Sequence, residues 1–308
     1  MKIGVDVGGT KCAVVLGDET HVEKRIAFPT EGLDETMENI IAAVAAVGKG
    51  DAIGISCGGP LDSEEGLILS PPNLPGWDRV PITDILSRRF GVPAYLENDA
   101  NACALAEWRY GAGKGTKNMV FLTFGTGLGA GLILGGKLYA GSNGMAGEVG
   151  HIRLSDHGPV GYGKAGSFEG FCSGNGLAQI GRELALEQLQ VGNALPYCKG
   201  REDLDGINAK ILAEFAAQGE PVAKEAYRVC GEMLGRGLAV IVDVLNPEAI
   251  VIGSVFQRSE DLLRGPMEEV LRREALGRSR EVCRVLPAAL GNSIGDYAAL
   301  AVAYEHEN

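Results

Sequence analysis

The fold is decided by residues 2–16, Lys2-Ile-Gly-Val-Asp6-Val-Gly8-Gly9-Thr10-Lys11-Cys-Ala-Val-Val-Leu16. Two apolar runs flank a Gly-Gly-Thr turn, and the apolar residues are too continuous for a strand with one solvated face. The stretch therefore predicts a buried hairpin. The same pattern returns in residues 120–134, where Gly125-Thr126-Gly127 separates two further apolar runs. This weak internal repeat predicts a chain made of two similar halves.

Strands and helices alternate through the rest of the chain, which indicates an α/β protein. Three prolines make residues 71–77 a loop, and a glycine-rich break at Gly111–Lys117 indicates a domain boundary. We expect an N-terminal lobe of residues 1–115 and a C-terminal lobe of residues 116–292, with a helix of residues 293–308 packed back on the first lobe. The other predicted elements are strands at 23–28, 52–56, 94–97 and 249–252 and helices at 33–47, 82–89, 98–110 and 222–245.

Composition and charge bound the class of protein. The chain has 308 residues, of which 45% are hydrophobic and 22% charged, as in ordinary globular domains. Its net charge of −12 repels phosphate backbones, so nucleic acid is not an expected partner. No stretch reaches the ~18 apolar residues of a membrane helix, no signal peptide is evident, and the seven cysteines are scattered. We therefore expect a cytoplasmic protein with reduced thiols and no membrane partner.

The two glycine turns have the chemistry of a phosphate site. Glycine lets backbone N–H groups approach an anion closely, and the hydroxyl of Thr10 or Thr126 adds a donor. Together the turns suit a triphosphate clamped from two sides; the alternative is two tight hairpins without a ligand. Residues 125–130 also match the dinucleotide pattern G-x-G-x-x-G/A, but a strand rather than a helix follows them, which argues against a Rossmann site.

Three sets of polar residues are candidates for the chemistry. Asp6 interrupts an apolar strand, so its charge needs a partner such as hydrated Mg²⁺ or Lys11, unless it only orders the turn. Asp99 follows Asn98 at a strand-to-helix junction, where a carboxylate serves either as a helix cap or as the base in phosphoryl transfer. The third set lies among glycines and suits the recognition of vicinal hydroxyls; it comprises Glu148, His151 and Glu169.

These residues resemble the ROK family of bacterial sugar kinases, within the actin–hexokinase–Hsp70 superfold, and the resemblance runs through almost the whole chain. It implies an α/β, two-lobed actin-like ATPase (ribonuclease H-like) fold with the active site in the interlobe cleft. The order and spacing of seven motifs carry it: Asp6-Val-Gly-Gly-Thr-Lys11, Pro72-Asn-Leu-Pro-Gly-Trp77, Glu97-Asn-Asp-Ala-Asn-Ala102, Gly125-Thr-Gly-Leu-Gly129, Gly144-Met-Ala-Gly-Glu-Val-Gly-His151, Asn246-Pro-Glu-Ala-Ile-Val-Ile-Gly253 and Leu290-Gly-Asn292.

The resemblance also implies roles for individual residues, with ATP and Mg²⁺ as cofactors and a homodimer as the assembly. Asp99 takes the proton of the sugar hydroxyl, and Asp6 lies near Mg²⁺, through water. The residues implied for the sugar's other hydroxyls are Asn73, Asn98, Glu148, His151 and Glu169. Those implied around the phosphates are Gly8, Gly9, Thr10, Lys11, Thr123, Gly125, Thr126 and Gly127, and those around adenosine are Gly235, Gly253 and Gly291.

Two departures from the family pattern matter. Many relatives carry a zinc-binding C-x-C-G-x-x-G-C-x-E segment, whereas residues 160–169 here contain no cysteine. No structural zinc site is therefore expected, and His151, a zinc ligand in those relatives, would be free of metal. We expect packing of Tyr162 and Phe168 to hold this loop instead. The turn at residues 253–255 has fewer glycines than the usual form, so the adenine contact need not follow the family pattern.

The leading hypothesis is ATP-dependent phosphorylation of a hexose at a primary hydroxyl, giving the sugar 6-phosphate and ADP. Glucose is the first choice, because the side chains of Asn98, Glu148, His151 and Glu169 suit equatorial hydroxyls. N-acetylglucosamine, N-acetylmannosamine and fructose are alternatives, as is a non-catalytic sugar-binding regulator. Repressors of this family carry an N-terminal helix-turn-helix domain, whereas the first predicted hairpin here begins at residue 2; with the acidic charge, this disfavours a repressor.

Overall fold

The computed structural model describes residues 1–18 and 20–306. The strands are β1 (Lys2–Val7), β2 (Lys11–Gly17), β3 (Val22–Pro29), β4 (Ile53–Cys57), β5 (Leu61–Asp62), β6 (Leu67–Ile68), β7 (Ala94–Asn98), β8 (Met119–Phe124), β9 (Leu128–Leu134), β10 (Lys137–Leu138), β11 (Val160–Gly161), β12 (Lys164–Ala165), β13 (Ala249–Ile252) and β14 (Arg284–Pro287). The helices are α1 (Leu33–Val47), α2 (Ile82–Phe90), α3 (Asp99–Arg109), α4 (Phe168–Phe171), α5 (Gly174–Gln190), α6 (Ala209–Ala217), α7 (Pro221–Leu245), α8 (Val255–Arg258), α9 (Glu260–Glu274), α10 (Gly277–Val282) and α11 (Ile294–Glu305).

The predicted strands and helices are present, with bounds that differ by no more than two residues except at the C-terminal helix, which ends at Glu305. The last two residues of the helix predicted over 293–308, Glu307 and Asn308, lie outside the described residues. Because apolar spacing sets both the period and the length of an element, long periodic segments such as α1 and α7 are read reliably from the sequence.

The first sheet has the strand order β3-β2-β1-β4-β7. Strands β1, β2 and β3 form an antiparallel meander, whereas β4 and β7 continue the sheet parallel to β1. Every residue of β1 except Asp6 is buried, as expected for a strand covered on both faces. On one face α1 contributes a stripe at three- and four-residue spacing, made of Met37, Ile40, Val44 and Val47.

On the opposite face, α11 packs directly on β1 and β4 because two glycines are paired there. Gly4 and Gly54 are partners in the parallel register. A Cβ atom on Gly54 would lie 2.1 Å from the Ala299 carbonyl oxygen and 2.4 Å from the Ala303 nitrogen. Alanines on the helix and glycines on the sheet thus let the two backbones approach closely, as dense interior packing requires.

The second sheet has the order β10-β9-β8-β13-β14, in which β13 and β14 are parallel. It repeats the order of the first sheet, a meander of three consecutive strands followed by two later strands, as the internal sequence repeat predicts. By residue contacts the chain divides into two compact units. The first unit comprises residues 1–121, 131–146 and 289–308, and the second comprises 122–130 and 147–288. The predicted lobe boundaries at 115 and 292 stay a prediction.

The second unit is built around the long helix α7. Pro221 opens α7, and the Glu220 carboxylate caps it by accepting from the backbone nitrogens of Val222 and Ala223. The helix packs against α9, α6 and α5. No helix in the described part of the chain, α7 included, has the length and apolar character needed to cross a membrane.

Candidate active site

One edge of the first sheet collects the first glycine turn, the segment after β4 and the start of α3. The last residues of the parallel strands β1, β4 and β7 pair with one another, Val7 with Cys57 and Cys57 with Asn98. Because parallel strands end at the same edge, the segments that follow them lie side by side, which is where open α/β sheets bind ligands. The residues that follow the three strands are Gly8, Gly58 and Asp99.

The loop at 71–77 lies against this edge and brings Asn73 to it. A Cβ atom on Gly9 would lie 2.5 Å from Asn73 Cβ, so the first glycine turn and the loop are in direct contact. The position that a Cβ would take on Gly58 is 3.8 Å from both Asn73 Nδ2 and Asp99 Oδ2. The polar ends of Asn73 and Asp99 therefore face one spot, as expected for two residues that contact one substrate.

The junction between β7 and α3 fixes the orientation of Asp99. Asn98 is the N-cap of α3, because its Oδ1 accepts from the Ala100 nitrogen at 2.9 Å. Asp99 is the first helical residue and is exposed. Asn98 occupies the N-cap position, and the same Ala100 nitrogen also donates to Asp99 Oδ1 at 2.8 Å. This hydrogen bond engages one oxygen of the exposed Asp99 side chain at the edge of the sheet.

The charge balance around Asp6 is unfavourable for its ionised form. Burial, and after it the nearby carboxylates of Asp296 and Asp99, raise the pKa of the Asp6 carboxyl to about 6. Lys11, the expected partner, lowers the pKa, as does Arg25, but neither offsets burial. Arg25 is itself paired with Asp296, with Nε–oxygen distances of 2.9 and 3.0 Å. This spot carries more negative charge than its own cations neutralise.

The second glycine turn, residues 125–127, is held from three sides within the second unit. The Gly174 nitrogen at the start of α5 donates to the Gly125 carbonyl at 2.7 Å. The Thr123 hydroxyl accepts from the Gly129 nitrogen at 2.9 Å, which closes the strand ends around the turn. Ser254 Oγ lies 3.7 Å from the position that a Cβ would take on Gly125, so the turn after β13 borders the glycine turn. The predicted phosphate residues Thr123, Gly125, Thr126 and Gly127 are thus together.

The predicted sugar residues of the second unit also lie close to this turn. Glu148 and His151 bound a short 3₁₀ segment, and the position of a Cβ on Gly150 between them is 3.2 Å from Glu169 Cβ. One carboxylate oxygen of Glu169 accepts from the Leu128 nitrogen at 3.0 Å. The side chains of Glu148 and His151 are exposed, whereas Glu169 is partly buried.

Hydrogen bonds hold the loop that lacks the zinc-binding cysteines. The Gln179 amide accepts from the Val160 nitrogen and donates to the Val160 carbonyl, both at 2.9 Å. Phe168 is fully buried, as expected, but the expected packing of Tyr162 is wrong. Tyr162 is 79% exposed and meets only the edge of the His151 ring, because backbone φ of +44° in the hairpin turn projects it outward. Within residues 1–18 and 20–306 no cluster of three or more His, Cys, Asp or Glu can hold a metal.

The three glycines predicted around adenosine have different surroundings. Gly235 lies in the contact of α7 with α9, where a Cβ would be 2.5 Å from the Met267 carbonyl oxygen, so helix packing accounts for it. Gly253 follows β13 and donates to the Leu122 carbonyl at 3.0 Å. Gly291 opens the 3₁₀ turn before α11 with φ of +56°. Their contact with adenosine stays a prediction.

Sequence reasoning missed two buried carboxylates that order the predicted site. Glu97 accepts from the Asn98 nitrogen at 2.8 Å and lies just before the catalytic candidate Asp99. Glu107 is fully buried and accepts from the nitrogens of Ala289 and Leu290, directly before Gly291. The available signal was a charged residue within an otherwise apolar stretch, the criterion that had singled out Asp6.

The repeated sheet order, with a glycine turn after the first strand of each sheet, defines the class of protein as an actin-like ATPase fold. The ROK family model matches residues 2–306, and the chain belongs to the ROK family. It is 35% identical to the glucokinase of Streptomyces coelicolor over an alignment of 315 positions, gaps included. The alignment covers 99% of this chain and 98% of that protein. The predicted family and fold class are confirmed.

A solved structure and a further relative bear on the activity. The fold is similar to that of a ROK family glucokinase from Streptomyces griseus in complex with glucose and AMPPNP, with a TM-score of 0.78, 34% identity and 99% of both chains covered. The N-acetylmannosamine kinase of Salmonella typhi is 30% identical over 87% of this chain and 86% of that protein. The chain is an ATP-dependent sugar kinase, and these relatives act on more than one sugar.

Proposed function

We propose that this chain transfers the γ-phosphoryl group of ATP to the primary hydroxyl of glucose, giving glucose 6-phosphate and ADP. The observation that carries the proposal is that Asp99 Oδ2 and Asn73 Nδ2 both lie 3.8 Å from the position that a Cβ would take on Gly58, at the sheet edge that also carries the first glycine turn. The identity of the glucokinase relatives supports glucose over other hexoses.

In this proposal Asp99 is the catalytic base. Its carboxylate accepts the proton of the sugar hydroxyl as that oxygen bonds to the γ-phosphorus and the bond to the ADP oxygen breaks. Phosphoryl transfer passes through a loose transition state, so the base contributes mainly by positioning the hydroxyl. The residues proposed to bind the other hydroxyls of the sugar are Asn73, Asn98, Glu148, His151 and Glu169.

The glycine turns supply donors for the phosphates. The backbone nitrogens of residues 8–11 and 125–127, with the hydroxyls of Thr10, Thr123 and Thr126 and the Lys11 ammonium, would offset the negative charge of the triphosphate. Gly9 admits no side chain because Asn73 occupies the space, and a Cβ on Gly127 would lie 2.7 Å from Glu169 Oε2. Both turns therefore combine free access to the backbone with close packing behind it.

The excess of negative charge around Asp6 fits a magnesium ion. A divalent cation relieves the repulsion among the carboxylates of Asp6, Asp99 and Asp296. Mg²⁺ usually keeps several waters and takes few protein ligands besides the substrate phosphates, which suits Asp6 acting through water. The bound ion would neutralise charge that develops on the phosphoryl oxygens.

Substitution of the base tests the proposal. We expect Asp99→Asn to lower kcat with glucose by about 10²–10⁴, the usual contribution of a general base, with a smaller change in the KM for glucose. Asp84→Asn is the control, because Asp84 is an exposed residue of α2 that pairs with Arg88 on the surface. An Asp99→Asn enzyme with near-normal kcat would overturn the assignment of the base.

A panel of acceptors tests the sugar. ADP release is measured with glucose, N-acetylglucosamine, N-acetylmannosamine and fructose at matched concentrations, and the highest kcat/KM is expected for glucose. If another sugar has a clearly higher kcat/KM, that sugar replaces glucose in the proposal, and the assignment as a sugar kinase stands. Binding of a sugar without ADP release would identify the non-catalytic regulator.

We also propose a cytoplasmic homodimer. All seven cysteines are free thiols in the structure, which suits a reducing compartment. The homodimer rests on the family resemblance, and light scattering during size-exclusion chromatography, which separates one copy of 32.2 kDa from two, tests it.

A further inference from the structure

The inference starts from a direct contact between the predicted sugar site and the predicted phosphate site. The Leu128 nitrogen, one residue after the second glycine turn, donates to Glu169 Oε2 at 3.0 Å. The same oxygen lies 2.7 Å from the position that a Cβ would take on Gly127. One hydrogen bond thus links a carboxylate assigned to sugar with the turn assigned to ATP.

The backbone of Glu169 is fixed, so movement at this contact is confined to its side chain. Ser167 is fully buried and caps α4 by accepting from the Gly170 nitrogen at 3.0 Å. Phe168 is also fully buried, with its ring 2.3 Å from the position of a Cβ on Gly237. The rotamer of Glu169 is therefore the variable that sets where its carboxylate lies.

A carboxylate has room for both partners. Its two oxygens offer about four lone-pair sites, so accepting from the Leu128 nitrogen leaves capacity for a sugar hydroxyl. A hydroxyl bound at the second oxygen fixes the rotamer, and a fixed rotamer fixes the Leu128 peptide. Hydrogen bonds to an ionised carboxylate are stronger than those between neutral groups, so this contact can contribute to the coupling free energy between the two sites.

The Leu128 peptide in turn is tightly placed. Its carbonyl oxygen is 2.2 Å from the position of a Cβ on Gly150, within the segment that carries Glu148 and His151. The two peptide units that flank the Leu128 Cα therefore have different neighbours, Glu169 at the Leu128 nitrogen and Gly150 at the Leu128 carbonyl. Glu169 hydrogen-bonds the peptide that joins Gly127 to Leu128, so a change at its carboxylate acts directly on the glycine turn.

We propose that Glu169 couples the two substrates: one oxygen binds a hydroxyl of the hexose while the other holds the Leu128 nitrogen, so that bound sugar orders the turn at 125–127 and raises the affinity for ATP. The inference deepens the proposed function and rests on it. Coupling between two sites is reciprocal, so ATP raises the affinity for the hexose by the same factor. Glu169 is thus a positioning residue for the nucleotide as well as a ligand of the sugar.

Calorimetric titration of AMPPNP with and without saturating glucose tests the coupling. The ratio of the two dissociation constants is the coupling factor, and factors of about 5–150 are usual for coupled sites. We expect Glu169→Ala to weaken glucose binding and to lower the coupling factor at least about fivefold. Glu169→Gln keeps an oxygen that can accept from the Leu128 nitrogen, so it should weaken glucose binding but retain the coupling factor within about twofold.

Glu148→Gln is the matched control. Glu148 is an exposed carboxylate of the same predicted sugar set. It lies at the start of the 3₁₀ segment, whereas Glu169 accepts from the Leu128 nitrogen next to the glycine turn. We expect weaker glucose binding with an unchanged coupling factor once glucose is saturating. Thermal unfolding of each variant verifies that the fold is intact. If Glu169→Ala does not fold, Glu169→Gln carries the test. Loss of coupling in Glu169→Gln contradicts the proposal without data from the alanine variant.

The outcomes separate this inference from the proposed function. A wild-type coupling factor near one, or equal factors in the wild type and Glu169→Ala, overturns the inference while glucose phosphorylation stands. If glucose does not bind, the panel sugar with the highest kcat/KM replaces it in the same titrations. If no sugar of the panel binds, the proposed function and the inference both fail.

Discussion

The buried carboxylate of Glu97 accepts a hydrogen bond from the side-chain amide of Asn101 at 3.0 Å. The same oxygen accepts from the Asn98 nitrogen at 2.8 Å, so Glu97 contacts residues on both sides of Asp99 and Ala100. Glu97 lies on β7 and Asn101 on the first turn of α3. This pair fixes the angle at which the helix leaves the strand and therefore the direction in which Asp99 is presented.

The first prediction concerns this junction. We expect Glu97→Ala to lower kcat by about 10²-fold, because a displacement of about 1 Å in a catalytic group has that effect. The KM for ATP should change less. Glu97→Gln retains an acceptor for the Asn98 nitrogen and should recover most of the lost activity. Steady-state kinetics with glucose check the series, and equal loss in both variants would contradict a positioning role.

The second prediction concerns Asp6 and pH. Its carboxyl has a pKa of 3.8 in the unfolded chain and about 6 in the folded one. Between these values the folded state holds a proton that the unfolded state has released, so the free energy of unfolding falls as the pH rises from about 4 to about 6. Above about pH 6 the ionised Asp6 carboxylate lowers the free energy of unfolding of the magnesium-free protein.

Removal of this charge should therefore stabilise the magnesium-free protein. We expect Asp6→Asn to raise the free energy of unfolding by about 1–3 kcal/mol at pH 8, with the gain vanishing toward pH 4. Activity should fall, because the charge is the feature that suits the metal. Chemical denaturation in a chelator at pH 4.5 and pH 8 makes the comparison, and a gain independent of pH would refute the charge explanation.

The third prediction concerns the glycine contact beneath α11. Gly54→Ala places a Cβ 2.1 Å from a backbone oxygen of the helix, so α11 must shift, and overpacking of this kind costs about 1–3 kcal/mol or more. Gly277→Ala is the control, because Gly277 is an exposed position of α10 where a Cβ meets nothing within 4 Å. There the change should stabilise the protein by about 0.5–1 kcal/mol through helix propensity. Opposite shifts in Tm are the expected result.

The limits of sequence reasoning show at particular residues. The spacing of Met37, Ile40, Val44 and Val47 determines α1 without any tertiary information, because burial of one helix face is a local pattern. The contact of Asn73 with Gly9 joins segments more than sixty residues apart, and no local pattern encodes such a contact. The family resemblance, rather than residue spacing, is the basis for assigning Asn73 to the predicted sugar site.

Side-chain burial was the other source of error. Tyr162 is aromatic and was expected to pack, but a hairpin turn with positive φ decides its direction. Glu97 and Glu107 are charged, and such residues are almost never fully buried unless they are paired. Their pairing uses backbone nitrogens, which leave no trace in the amino-acid sequence.

The last prediction concerns Glu107, which connects α3 to the segment before Gly291. Its carboxylate accepts from the backbone nitrogens of Ala112, Ala289 and Leu290 at 2.8, 3.1 and 2.9 Å. Glu107→Ala leaves three donors without this acceptor, and each unsatisfied buried group costs about 1–3 kcal/mol. We expect a loss of stability of at least about 3 kcal/mol, whereas Glu38→Ala on the exposed face of α1 should change stability by less than about 0.5 kcal/mol. Urea denaturation measures both, and a small loss at Glu107 would mean that water replaces the carboxylate at the three nitrogens.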